Sequence, residues 1–292
     1  MRRRLIHLLV LALILFLTVP CFAADKYVEL KNLRMHYTQT GDASGTIVLV
    51  PGYTAPAGLF DGTIDQLAAR HTVYALDMRG TGQSGDAAVE TLRDYSEDIY
   101  EFATTLGLKK FALMGWSMAG GTVLQFALDH PDMAAAIVMI SPIHGNGIHV
   151  PDLEAAKKAR VQLFEQHDSE KMRARIRNLI VHGSGPAGYI DWAAEEVLKT
   201  RISHVTSSLD AMQRFNVMDR LSALTVPTLI VHGDTDRIVD IRGVLDTWKA
   251  MPPVAHLQVL YHTGHFPFIE RPSEFVAIVE EFIGDVEAGT PK

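Results

Sequence analysis

Cysteine is almost missing from this chain. The only one among 292 residues is Cys21, and it falls in a leader expected to be removed, so neither a disulfide nor a cysteine nucleophile is available to the rest. Long apolar runs are equally scarce: past the first two dozen residues, none is long enough to span a bilayer. No His, Asp or Glu grouping has zinc spacing, which argues against a metal. Basic charge is short too. The 27 Lys and Arg residues face 34 Asp and Glu residues, a formal net charge of −7. That balance favours solubility and argues against nucleic acid or an acidic membrane surface as a partner.

The leader is what stands at the start. Arg2, Arg3 and Arg4 precede an apolar stretch from Leu5 to Val19, and Pro20-Cys21-Phe22-Ala23-Ala24 closes it with small residues. This is the layout of a secretory signal peptide over 1–23, with cleavage expected after Ala23. The apolar stretch is shorter than the ~20 residues of a spanning helix, so export is expected, to the periplasm or the medium, with no stable membrane anchor. Pro20 argues against a lipid anchor on Cys21. Cleavage removes three arginines and no acid, taking the net charge from −7 to −10. Residues 24–292 suffice for one domain stabilised by its own core.

Strand and helix patterns alternate along that domain. Short strands are expected at Tyr27–Leu30 and Leu33–Tyr37. Continuous apolar runs at 46–50, 72–76, 111–114, 134–141 and 226–233 read as strands buried on both faces. Helical periodicity lies between them, as with Tyr95, Ile99, Phe102 and Leu106. The pattern predicts an α/β fold: a mostly parallel central sheet with helices on both faces. Asp77-Met78-Arg79-Gly80-Thr81-Gly82-Gln83-Ser84-Gly85 is rich in glycine, but no Gly-Lys-Ser/Thr follows and it lacks G-x-G-x-x-G spacing. It reads as a structural turn. The alternation stops after the sixth strand, and about 144–210 is charged and helical, with Met172, Ile176 and Leu179 on one face. A helical lid is expected there. Its arginines Arg173, Arg175 and Arg177 could meet a substrate carboxylate, but a solvated helix face is the preferred reading.

The chemistry centres on Gly115-Trp116-Ser117-Met118-Ala119. An apolar strand breaks at a glycine, a serine follows, and small residues open a helix, which is the pattern of a nucleophile elbow. Positions two before and two after the serine must be small because strand and helix nearly touch. A serine needs a base and a carboxylate to orient that base. On an α/β sheet these come from later strand ends in the order Ser, Asp, His. Asp236 lies past the strand ending at Gly233, and His265 past the strand ending near Leu260. Asp234 and Asp240 are rivals for the acid and His262 for the base. Gly264 favours His265 by letting its loop turn inward.

Pro51-Gly52-Tyr53, the Asp77–Ser84 turn, the Ser117 elbow, Gly233-Asp234-Thr235-Asp236-Arg237-Ile238-Val239 and Gly264-His265-Phe266-Pro267-Phe268-Ile269-Glu270 occur in that order. Together they make the chain resemble the α/β-hydrolase superfamily, in the branch of capped esterases, lactonases, perhydrolases and C–C hydrolases. The resemblance covers nearly all of 24–292. It implies a Ser117-Asp236-His265 triad, an oxyanion hole from the Tyr53 and Met118 amides, and no cofactor. Relatives have His-Gly where this chain has Pro51-Gly52, a change that leaves the Tyr53 amide free. Serine at position 117 excludes the alkyl-enzyme chemistry of aspartate-bearing relatives.

Tyr53, Trp116, Met118 and Phe266 near the triad are large, and they imply an apolar acyl group, with Trp116 and Phe266 as pocket candidates. The expected activity is hydrolysis of a small-molecule carboxylic ester. C–C bond, lactone and perhydrolase chemistry are the alternatives on the same triad, and a non-catalytic binding protein is a further one. Nothing in the sequence sets an oligomeric state.

Overall fold

Runs of β-branched residues with no polar face must be covered on both sides, and here they form the middle of an eight-stranded sheet. The computed structural model describes residues 24–183 and 185–289; the leader expected at 1–23 lies outside them. The first half of the chain runs β1 (Ala24–Glu29), β2 (Arg34–Thr40), β3 (Gly45–Val50), α1 (Asp61–Leu67), β4 (His71–Leu76), α2 (Leu92–Thr105), β5 (Phe111–Trp116), α3 (Met118–Asp129) and β6 (Ala134–Ile140). Four helices follow without a strand: α4 (Leu153–Glu165), α5 (Ser169–Leu179), α6 (Tyr189–Leu198) and α7 (Ile202–Arg214). The sheet then resumes with β7 (Thr228–Gly233), α8 (Ile241–Lys249), β8 (Ala255–Leu260), α9 (Pro267–Glu270) and α10 (Pro272–Glu287).

The strand order is β1-β2-β4-β3-β5-β6-β7-β8. β2 pairs antiparallel with β1 and β4, and every other pairing is parallel. Side chains along a strand alternate between faces, and β3 and β5 split accordingly. Val48, Val50 and Leu113 pack with Ile99, Phe102, Val123 and Phe126 of α2 and α3. Ile47, Leu49 and Met114 pack on the other face with Ile64 and Leu67 of α1 and Phe275 and Val279 of α10. Every residue of β5 is buried. The strand that presents Ser117 is therefore clamped by neighbours and by both helix layers.

The glycine-rich turn is structural. Asp77 accepts hydrogen bonds from the Ala57 and Gln83 amides at 2.8 and 2.9 Å and lies 2.7 Å from His36 Nδ1. Arg79 forks onto Asp98, with both contacts at 2.6 Å. Gly80 and Gly82 adopt positive φ, and a Cβ at Gly80 would fall 1.8 Å from the His204 ring. These contacts use the loop's polar groups internally, which leaves no cradle for a phosphate.

Candidate active site

Ser117 sits between β5 and α3 with φ 57° and ψ −117°, a conformation that costs an L-residue on the order of 1–3 kcal/mol. The surrounding bonds hold it there. Its N–H donates to the Ile140 carbonyl at 2.8 Å, and its carbonyl accepts from Gly120 and Ile143 at 2.9 and 3.1 Å. A Cβ on Gly115 would meet the Ala119 carbonyl oxygen at 2.3 Å, so the expected demand for a small residue is real. α3 begins at Met118, four residues before the helical pattern read from the sequence at Thr122–His130. The reason is close packing: a Cβ at Gly120 would come within 2.4 Å of Pro142 Cβ, so glycine stands inside the first helical turn.

His265 arrives from the loop after β8 and places Nε2 2.9 Å from Ser117 Oγ. Its Nδ1 is 2.7 Å from Asp236 Oδ2. A carboxylate can only accept there, so Nδ1 carries the proton and Nε2 is free to accept from the serine hydroxyl. The other carboxylate oxygen of Asp236 accepts from the Ile238 and Val239 amides at 2.8 and 3.0 Å. Burial works to raise the Asp236 pKa. The charge and hydrogen bond of His265, together with His232 and the Ile238 amide, outweigh it and hold the carboxyl below its ordinary value. The three side chains form one hydrogen-bonded line, with Asp236 1% and His265 3% exposed.

The rival residues have other tasks. Asp234 accepts from the Thr263 amide at 3.2 Å, and Asp240 caps α8 through the Arg242 amide. His262 is exposed, with its ring 5.3 Å from that of His182.

Above Ser117 lies a cavity of about 250 Å³, with Ser117, His265, Tyr53, Trp116 and Phe266 in its wall. Trp116 has two roles, since it lines the cavity and its Nε1 also donates to the His265 carbonyl at 2.8 Å. The Met118 side chain points into the core instead. As the first residue of α3 it keeps an amide with no partner inside the helix. The Pro51-Gly52 turn runs against the serine: a Cβ on Gly52 would fall 3.0 Å from Ser117 Cβ. Residues of α4 to α7, among them Leu163, Phe164, Met172, Ile176, Val197 and Leu209, complete the apolar wall. Arg177 of α5 is exposed, and Arg173 is half-buried against acids of α5 and α6. Arg175 is half-buried in the cavity wall, contrary to the solvated-face expectation, because it stands three residues after the inward Met172 and four before the inward Leu179, on their face of the helix.

A serine, a histidine with a free ring nitrogen and a buried carboxylate in this order can run acyl transfer. The sequence matches the family model of the alpha/beta hydrolase fold over residues 45–272. The chain belongs to that family. It is 24% identical over 252 residues to the pimeloyl-acyl-carrier protein methyl ester esterase of Nitrosomonas europaea, covering 83% of this chain and 97% of the relative. Identity is 26% over 286 residues with the 2-hydroxy-6-oxononadienedioate/2-hydroxy-6-oxononatrienedioate hydrolase of Burkholderia vietnamiensis, covering 89% and 96% of the two chains. The solved esterase of Exiguobacterium antarcticum superposes with a TM-score of 0.81 at 17% identity, over 89% of this chain and all of that one.

In this hydrolase two further residues support the site. Glu270 of α9 accepts from the Val181, His182 and Gly264 amides at 3.0, 2.8 and 3.0 Å, and the His265 amide donates to the Leu179 carbonyl at 3.0 Å. These bonds tie the His265 loop to the end of α5. His232, wholly buried on β7, lies 3.9 Å from Asp236. Burial first, then the nearby His265 and His144, press it down to about 4 against the pull of Asp236. A histidine inside the apolar run Leu229-Ile230-Val231-His232 was the only sequence sign of it. Glu270 closes the Gly264–Glu270 motif of the family resemblance, but its task was not legible there, because its partners are backbone amides.

Proposed function

We propose that this chain is an exported serine hydrolase that cleaves carboxylic esters through Ser117, His265 and Asp236. The observation that carries this reading is the unbroken hydrogen-bonded line from Asp236 through His265 to Ser117 at the floor of a largely apolar cavity. His265 Nε2 takes the proton as Ser117 Oγ attacks the ester carbonyl. The tetrahedral oxyanion is held by the Tyr53 and Met118 amides, each worth ~3 kcal/mol when aimed at the developing charge. The C–O bond to the alcohol then breaks, and the alcohol leaves with the proton from His265. Water, deprotonated by His265, cleaves the acyl-serine to the free acid and regenerates Ser117. Asp236 holds the imidazole tautomer and stabilises its cation. No cofactor enters this scheme. The helices α4 to α7 act as the lid, closing the acyl site from solvent.

Export rests on the signal-peptide layout of 1–23, and amino-terminal sequencing of the processed protein, expected to begin at Ala24, checks it. The activity is tested with a chain-length series of p-nitrophenyl esters. Ser117→Ala should lower kcat by a factor on the order of 10⁶, and fluorophosphonate should label wild type and not the variant. Turnover that survives in the variant refutes the triad. A second reading, hydrolysis of a C–C bond beside a ketone, is favoured by the similarity to the Burkholderia dioate hydrolase. Turnover of diketo acids without turnover of esters would select it.

A further inference from the structure

The cavity contains a feature that ester cleavage does not use. Arg160 of α4 and Arg175 of α5 both reach its wall, in the same chamber as Ser117 and His265, and no aspartate or glutamate lines that chamber. Arg160 holds its guanidinium carbon 5.6 Å from the centre of the Tyr53 ring. Tyr53 is itself anchored, its hydroxyl donating to the Val205 carbonyl at 2.7 Å. Burial, followed by the repulsion of Arg160, presses Arg175 down to about 10, with Tyr53 acting the other way. Among the described residues no carboxylate forms an ion pair with either arginine.

The contrast within α5 is informative. Arg173, two residues before Arg175, contacts Glu170, Asp191 and Glu195 at 2.9, 3.6 and 3.9 Å. The helix therefore pairs Arg173 with acids and leaves its cavity-side arginine without one. Two like charges partly desolvated beside Leu163, Met172 and Ile176 cost stability unless an anion meets them. Guanidinium forks suit a carboxylate, which accepts two parallel N–H bonds.

We propose that Arg160 and Arg175 form a carboxylate-binding subsite, and that the substrate is an ester carrying a free carboxylate, such as a half-ester of a dicarboxylic acid. This rests on the ester-hydrolase reading and narrows it. The apolar wall that shares the chamber with Ser117 and the arginines takes the methylene chain. The anionic end is fixed at the two guanidiniums, which orients the carbonyl over Ser117. Neutral acyl chains of equal length fit the wall but leave both guanidiniums without an anion.

The test compares p-nitrophenyl half-esters of succinate, glutarate and adipate with neutral p-nitrophenyl esters of matching length. Wild type should prefer one half-ester in kcat/KM. Arg175→Met and Arg160→Met should each reduce the half-ester to neutral ratio by roughly 10- to 100-fold, the worth of a charge-assisted bond. Arg175→Lys, which keeps the charge and loses the fork, should restore part of it. The melting temperature of Arg175→Met should equal or exceed wild type, since an unpaired desolvated charge is removed; a loss would mean the arginine serves the fold. Calorimetric titration of adipate into Ser117→Ala protein separates this proposal from the catalytic one. Binding that weakens on replacing either arginine supports the subsite even if no ester is turned over. Equal ratios in wild type and variants, or no dicarboxylate binding, overturn it while ester turnover stands.

Discussion

Replacing Asp236 with asparagine tests the site through one atom. In the native site Oδ1 accepts from two amides, Ile238 at 2.8 Å and Val239 at 3.0 Å, and Oδ2 faces His265 Nδ1 at 2.7 Å. Asparagine has a single acceptor oxygen, and the two amides claim it. Its NH₂ must then face the imidazole, which forces Nδ1 to become the acceptor and moves the ring proton to Nε2. A protonated Nε2, 2.9 Å from Ser117 Oγ, cannot take the serine proton. The geometry is kept while the base is disabled. The expected loss in kcat is on the order of 10⁴, about 5 kcal/mol of transition-state stabilisation. The assay is steady-state hydrolysis of p-nitrophenyl butyrate, with circular dichroism to verify the fold and Asp234→Asn as the matched control. A folded Asp236→Asn protein within tenfold of wild type, or a comparable loss in Asp234→Asn, would refute the assignment.

Glu270→Ala leaves the Val181, His182 and Gly264 amides without their acceptor. It should lower stability by about 2–3 kcal/mol in urea unfolding and reduce kcat as the His265 loop loosens. Gly115→Val places a side chain against the Ala119 carbonyl, 2.3 Å from its Cβ; a destabilisation of about 3 kcal/mol or failure to fold is expected, read by thermal denaturation. Acid should weaken the fold through His232. Its folded pKa of about 4 lies below the ordinary histidine value of 6.5, so between those values the unfolded chain takes up a proton that the folded chain refuses. Stability is present in full above about pH 6.5 and falls as the pH drops towards 4, by about 3 kcal/mol. Urea midpoints measured across that range should show the slope, and His232→Asn should flatten it.

Local patterning carried much of the fold and the core of the candidate site. β-Branched runs with no polar face can only be sheet interior, so the strands were legible, within a residue or three at their ends. The elbow was legible because steric crowding restricts positions 115 and 119 to small residues. Asp236 and His265 could be placed because chain order on such a sheet leaves few strand ends to supply them.

Residues that act through folded neighbours were not legible. Helical periodicity places Arg173, Arg175 and Arg177 on one charged helix, and only the packing of α5 against α6 over the cavity turns Arg175 into the cavity and Arg173 towards acids. Glu270 serves amides nearly ninety positions earlier, and a backbone amide has no residue signature. The sequence by itself determined the sheet, the turn that strains Ser117 and the order of the three polar side chains, because those follow from short-range sterics and hydrophobic period. Tertiary structure alone decided which charges are left without partners and what the cavity can hold, because solvation and ion pairing depend on neighbours that only folding brings together.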